Sequence, residues 1–254
     1  MVSPSRKPFQ GVINIILFNW PFYAAVLVLP VAVLCLRGIV TGNTATLMVL
    51  LTAATLLAAF VSLVVSCYVY DLSGLYRFRW MAGLPARAGD RIWNINAGFD
   101  ETSVIIRHQF PGAELQVFDF YDPARHTEPS IRRARKKYPP YPGTIACNTT
   151  NLPEGNRPSL VFLIFAAHEI RDRDERIGFL RTLGRAIAPG GRIVLVEHQR
   201  DLPNFLAYTI GFFHFYSRAE WQRCFRAAGL RSGQVSHLNP FVTKFELYAD
   251  GVTS

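Results

Sequence analysis

Three of the six histidines stand where their protons could be steered. His168 and Glu169 follow the apolar run 159–166, and Glu197 and His198 close the apolar run that starts at Arg192. Imidazole titrates near neutral pH, and a neighbouring carboxylate can orient it, so each pair could serve as a general acid or base. Plainer roles stay open beside these: His168 capping the next turn, Glu169 solvated, His198 making a loop contact. His214 lies in the aromatic stretch 211–216. No His, Cys or Asp cluster has metal-site spacing, and Cys35, Cys67, Cys147 and Cys224 form no CxxC pair. The cysteines read as reduced, small apolar residues of a cytosol-facing chain.

Both His-acid pairs gain their meaning from the elements before them. After Gly83-Leu84-Pro85 the pattern alternates between strand and helix. Strands are expected at 91–95, 114–118, 143–147, 159–166 and 192–197, and helices at 102–109, 130–137, 174–187 and 219–228. A terminal antiparallel pair is expected at 235–237 and 243–248. The run 159–166 is almost wholly apolar, as a central strand covered on both faces must be. Ile177, Leu180, Leu183 and Ile187 share one helical face, and Pro189-Gly190-Gly191 stops that helix. Such alternation argues for an α/β domain with a doubly wound, mostly parallel, Rossmann-like sheet over 88–254. Ligands of such sheets bind at the carboxyl ends of the strands, where both pairs fall. The stretch 203–216 is unusually apolar for a connection. It reads as a substrate-covering or membrane-dipping insertion, or as a helix packed on the sheet.

The first third of the chain is different. No charged side chain occurs from Pro8 to Leu36 or from Gly38 to Tyr70. Each stretch exceeds the roughly 20 apolar residues that cross a bilayer core. Two transmembrane helices are expected, at about 11–36 and 45–70, the first kinked at Pro30, within an anchor of residues 1–72. An interfacial linker would follow at 73–87. Arg6 and Lys7 precede the first span, Arg77, Arg79, Arg87 and Arg91 follow the second, and Arg37 lies at the turn. The positive-inside rule then puts both ends and the α/β domain in the cytoplasm, on an inner membrane of bacterial type. The net charge of +9 suits phosphates, and beside such an anchor those belong to membrane lipids. The basic run Arg132, Arg133, Arg135, Lys136, Lys137 has no aromatic-interleaved groove with it, so nucleic acid is not an expected partner.

Several ordered segments resemble the class I methyltransferases that use S-adenosylmethionine (SAM). Pro111–Asp119 looks like that family's second strand, whose terminal acid holds the ribose hydroxyls; the resemblance gives this role to Asp119, with Phe120 beside it. Asn148-Thr149-Thr150-Asn151-Leu152-Pro153 stands where the family contacts adenine. Ala166-Ala167-His168-Glu169-Ile170 matches the turn after the fourth strand, and 183–192 matches a helix–Pro-Gly-Gly–strand junction. The resemblance covers about 88–250 and implies SAM as cofactor, with a lipophilic small molecule from the membrane as methyl acceptor. Tyr70 or Tyr76 would close over the cofactor.

One departure matters. The family's first loop is glycine-rich, whereas here it reads Asn94-Ile95-Asn96-Ala97-Gly98-Phe99-Asp100. Only Gly98 remains of the expected glycines, and Asn94 replaces an acid. In one reading Asn94, Asn96, Ala97 and Gly98, with Ala166, still line the cofactor site. In the other SAM binds atypically or not at all, and the domain is a membrane scaffold or uses the pocket for other chemistry on a quinone-like lipid.

Overall fold

The structure is a computed structural model that describes residues 6–36, 39–40, 42–126, 128–152 and 157–249. Arg37, Gly38 and Thr41 of the expected interhelical turn, and Pro153, lie outside the described residues.

Seven strands form one sheet in the order β3-β2-β1-β4-β5-β7-β6. They are β1 (Arg91–Asn96), β2 (Glu114–Asp119), β3 (Ile145–Ala146), β4 (Leu160–Ile164), β5 (Arg192–His198), β6 (Leu230–Asn239) and β7 (Val242–Ala249). The first five pair in parallel, while β7 runs antiparallel to both β5 and β6. The expected third strand shrinks to two residues, both exposed, at the sheet edge. Edge strands are commonly that short, which limits pairing with other chains.

Side-chain alternation along β4 builds two cores. Val161 and Leu163 face α6 (Arg173–Ala186) and α8 (Arg218–Ala227), through Phe179, Leu183, Trp221 and Phe225. Leu160 and Phe162 face the other way, onto Ile106 of α4 (Ser103–Gln109) and onto Val69, Leu75, Phe78 and Met81. This corrects the expected linker: residues 73–87 contribute a core layer of the α/β domain. Apolar residues at short spacing (Leu75, Phe78, Met81, Leu84) give this segment a buried side, and two single turns of 3-10 helix let it follow the sheet.

The N-terminal helices depart further from expectation. α3 (Asn43–Cys67) runs on through a π turn (Tyr68–Leu72), and the stretch Asn43–Arg77 is the one helix among the described residues that is by itself long and apolar enough to cross a membrane. The first expected span is broken: α1 (Gln10–Phe18) and α2 (Trp20–Leu36) meet at 77°. The break falls at Asn19, whereas α2 continues through Pro30. Pro21 sits in the first turn of α2, where its missing N–H leaves no bond unmade. Polar side chains hold α1 down. Asp71 accepts the Gly11 and Val12 backbone N–H groups at 2.8 and 2.9 Å, and Tyr138 donates to Asn14 at 2.8 Å. Asp71 thereby caps α1 as an N-terminal carboxylate should.

Candidate functional site

Crossover direction reverses between β1 and β4, so their carboxyl ends leave a crevice. A cavity of about 240 Å³ occupies it. Its floor is Asn94 to Ala97 and Ile164-Phe165, its wall His168 and Glu169, and its roof Asn14, Ile15 and Phe18 of α1. Tyr70, Tyr76 and Glu101 close one side, and Ile131 and Ala134 of α5 (Pro129–Lys137) the other. Phe165 adopts a left-handed φ of 52°, which for an aromatic residue costs about 1–3 kcal/mol and is typical of functional turns.

His168, in the 3-10 turn Ala167–Glu169, lies between two carboxylates: Nδ1 is 2.7 Å from Glu197 and Nε2 is 3.2 Å from Glu169. Burial opposes the imidazolium, but the charge of Glu197 and the hydrogen bonds that the ring donates to both acids outweigh it and push the pKa up to about 10. Glu169 is held far below the usual carboxylate range; burial works against this, and hydrogen bonds from His168 and His214 prevail. His214 reaches the same cluster, 3.0 Å from Glu128 and 3.6 Å from Glu169. Ligand-type atoms of His168, Glu169 and His214 lie within 4.8 Å of one another, a convergence from distant segments that sequence spacing did not reveal. Arg171 contacts both His214 and Glu128, so a cation already faces these acids.

His198 is absent from this cavity. Glu197 and His198 alternate along β5 and leave the sheet on opposite faces. Burial lowers the His198 pKa to about 4, against a raising hydrogen bond from Asn204. The neutral ring turns Nδ1 to the Asn204 and Phe241 oxygens, each at 3.0 Å, and Nε2 to the Tyr70 hydroxyl at 2.8 Å. An Nδ1–H tautomer satisfies all three, with Tyr70 donating to Nε2. His198 thus ties the end of α3 to β5 and to α7 (Leu202–Tyr208), a bracing position in place of the expected catalytic one.

The expected cofactor residues divide. Asn94, Asn96 and Ala97 line the cavity. Asn94 donates to Thr102 and Ser103 at 2.9 and 2.8 Å, which fixes the start of α4. The Asn96 Nδ2 is buried without a partner, a position that a ligand acceptor would satisfy. Asp119, Phe120, Asn148, Thr149 and Ala166 do not line the cavity. Phe120 is core, against Phe179, and Asn148 caps its own turn at the Thr150 and Asn151 N–H groups. Thr149 bonds Glu175, and Ala166 is buried beneath the His168 turn. Asp119 accepts the Tyr121 N–H at 2.9 Å and forms an ion pair with Arg135. Arg135 lies 4.4 Å above the Tyr121 ring, and a Cβ on Gly98 would meet that ring at 2.9 Å. The basic helix α5 therefore folds back across the tip of β2.

Sequence reasoning missed Glu101, Phe18 and Arg135. Glu101 is largely shielded from solvent and its pKa raised by that desolvation, although Arg6 opposes the shift along with bonds from Gln10, Tyr76 and Asn14. A Glu three residues past a loop glycine carries no signal of such a network.

At the β1 tip the unpartnered Asn96 Nδ2 fits a polar ligand group, whereas the Asp119 carboxylate, outside the cavity, is engaged by Arg135. The cavity is below the roughly 300–1,000 Å³ of sites that enclose drug-sized ligands.

No family model matches the sequence, and no curated protein matches it. Solved structures do. One is an O-methyltransferase family 2 protein from Planctomyces limnophilus, crystallised with apigenin: 13% identity, TM-score 0.51, 75% of this chain and 60% of that one. Another is human N-acetylserotonin methyltransferase with SAM: 13% identity, TM-score 0.50, 76% of this chain and 55% of that one. The chain spans less than two thirds of the length of either. At this identity the likeness concerns architecture: the chain has the fold of the class I SAM-dependent O-methyltransferases.

Proposed function

We propose that this protein is a SAM-dependent methyltransferase, anchored in a membrane, that methylates an acidic hydroxyl on a lipophilic small molecule. The observation that carries this reading is His168, clamped by Glu197 at 2.7 Å and lining the cavity above the β1–β4 crevice. SAM would supply an electrophilic methyl group. Asn96 and Ala97 would hold its methionyl end and Asp119 its ribose, with Asn94 bracing the loop.

The protein's own contribution is charge and position. With its pKa near 10, His168 carries a proton at neutral pH, and its Nε2–H, held 3.2 Å from Glu169, would turn from that acid to an entering oxygen. An imidazolium there would stabilise an oxyanion, so a phenol or enol, with an ordinary pKa of about 10, would bind as its anion, its proton passing to solvent water on binding and not to the already protonated His168. An alkyl alcohol would not ionise. Tyr70, Tyr76 and Phe18 exclude water around that oxygen, and positioning alone can supply much of the barrier reduction.

The membrane reading rests on the apolar stretch Asn43–Arg77, with α2 as its partner and both ends cytoplasmic. A substrate dissolved in lipid explains why the cavity roof, α1, is continuous with the anchor. Purified full-length protein titrated calorimetrically with SAM and S-adenosylhomocysteine tests the proposal. Saturable binding of both is expected, and heat from neither would remove it.

The Asp119–Arg135 pair favours a second reading, a methyltransferase-like membrane scaffold without catalysis. Asp119→Ala would then leave function in cells intact, whereas a SAM-using enzyme loses it.

A further inference from the structure

We propose that residues 202–213 form a second membrane contact, lying in the lipid interface beside the end of α3; this rests on the anchored reading above. Between Asp201 and His214 no residue is charged. α7 and the 3-10 helix that follows (Thr209–His214) have two unlike sides. Asn204 and Ala207 are buried, with Asn204 bonded to Asp201 and to the Phe241 carbonyl. The other side exposes Leu202 (67%), Phe205 (44%), Leu206 (63%), Ile210 (79%) and Phe213 (63%). Soluble surfaces scatter such residues singly, and contiguous patches mark an interaction site.

The occupant follows from where the patch sits. α7 packs on α3, and the Tyr70–His198–Asn204 chain fixes it at the end of α3 nearest the sheet. Farther along, α3 itself exposes Leu57, Phe60 and Val64. The two apolar surfaces belong to contacting helices, so a bilayer around α3 meets α7 at its boundary. An apolar-faced helix at that depth buries its outer side among headgroups and upper acyl chains. A polar partner protein would leave this side unmatched.

The contact has a consequence for the site. The same segment delivers His214 and Phe215, whose rings lie 5.1 and 6.5 Å from that of His168. The lipid boundary is therefore one short segment away from the candidate acceptor position.

The test uses the full chain with its four cysteines changed to alanine, reconstituted in phosphatidylcholine nanodiscs. Phe205→Cys, Ile210→Cys and Phe213→Cys carry nitroxide labels, with Leu57→Cys on α3 and Lys136→Cys on α5 as references. Collision rates with oxygen report lipid, and those with a water-soluble nickel chelate report solvent. Oxygen should dominate at the three segment positions and at 57, and nickel at 136. Nickel dominance at 205, 210 and 213 with oxygen dominance at 57 would overturn this proposal and leave the anchor standing. Nickel dominance at 57 as well would overturn both. Shielding from both reagents with spin–spin broadening would mean that a second copy covers the patch, and would also overturn it.

Discussion

His168 and His198 stand at the carboxyl ends of adjacent strands, yet their surroundings make the first a cation and leave the second neutral. Around His168 are two carboxylates, and its pKa rises to about 10. Around His198 are carbonyl oxygens, a phenol and two stacked aromatic rings, Phe165 and Phe215, and its pKa falls to about 4. The His198 ring is buried and the His168 ring nearly so. Desolvation disfavours the cation in each case, so the difference lies in whether a partner charge was buried too. Glu197 decides it, because strand alternation turns that acid to the His168 side.

The largest break in this comparison should come from deleting each ring. His168→Asn is expected to lower kcat by about 10²–10³, the usual loss when one oxyanion-stabilising donor is removed. His198→Asn should change kcat only a few-fold and instead lower the melting temperature. Steady-state assays with a phenolic lipid and thermal unfolding of both variants check this, and a reversed pattern would move the site to the other face of the sheet.

A second measurement follows stability with pH. The folded pKa of His198 lies below the 6.5 of a free imidazole. Its contribution is complete above pH 6.5 and is lost as pH falls towards 4. His168 is the reverse: its contribution is complete below pH 6.5 and is lost as pH rises towards 10. Each slope should be about 1.4 kcal/mol per pH unit, read from denaturant midpoints at pH 5, 7 and 9. His198→Asn should flatten the acid side only, and His168→Asn the alkaline side only.

Glu197→Gln sharpens the comparison further. It keeps the hydrogen bond and removes the charge, so the His168 pKa should drop by at least one unit, visible in an NMR titration of the imidazole Cε1–H. The smallest effect belongs to Tyr70→Phe. Removing the 2.8 Å bond to a buried neutral histidine should cost about 1 kcal/mol and leave His168 unchanged.

Much of the sheet was legible because strands and helices announce themselves locally. The apolar run 159–166 and the stop at Pro189-Gly190-Gly191 bound β4, α6 and β5 within a residue or two. The same holds for His168 at a strand end. What the sequence hid depends on contacts between distant segments. Asn14, Asn19 and Pro21 are local signs that the first span does not start as a plain spanning helix, but the direction in which α1 turns aside is set by Asp71 and Tyr138 far along the chain. The Glu197-His198 pair read as one unit, and only strand geometry separates its members. Asp119 matched the expected position in its strand, and its partner, Arg135, came from a helix that looked like a solvated basic face.

The bend at Asn19 bears on how this protein should be handled. Discarding the hydrophobic N-terminus to obtain a water-soluble fragment would also strip the lid from the cavity. Glu101 would lose Arg6, Gln10 and Asn14 together and keep only a tyrosine hydroxyl, while Val69 and Leu75 would lie beside a fresh cut in the chain. Ligand measurements therefore belong to the intact chain in lipid, where the lid and its tether are one piece.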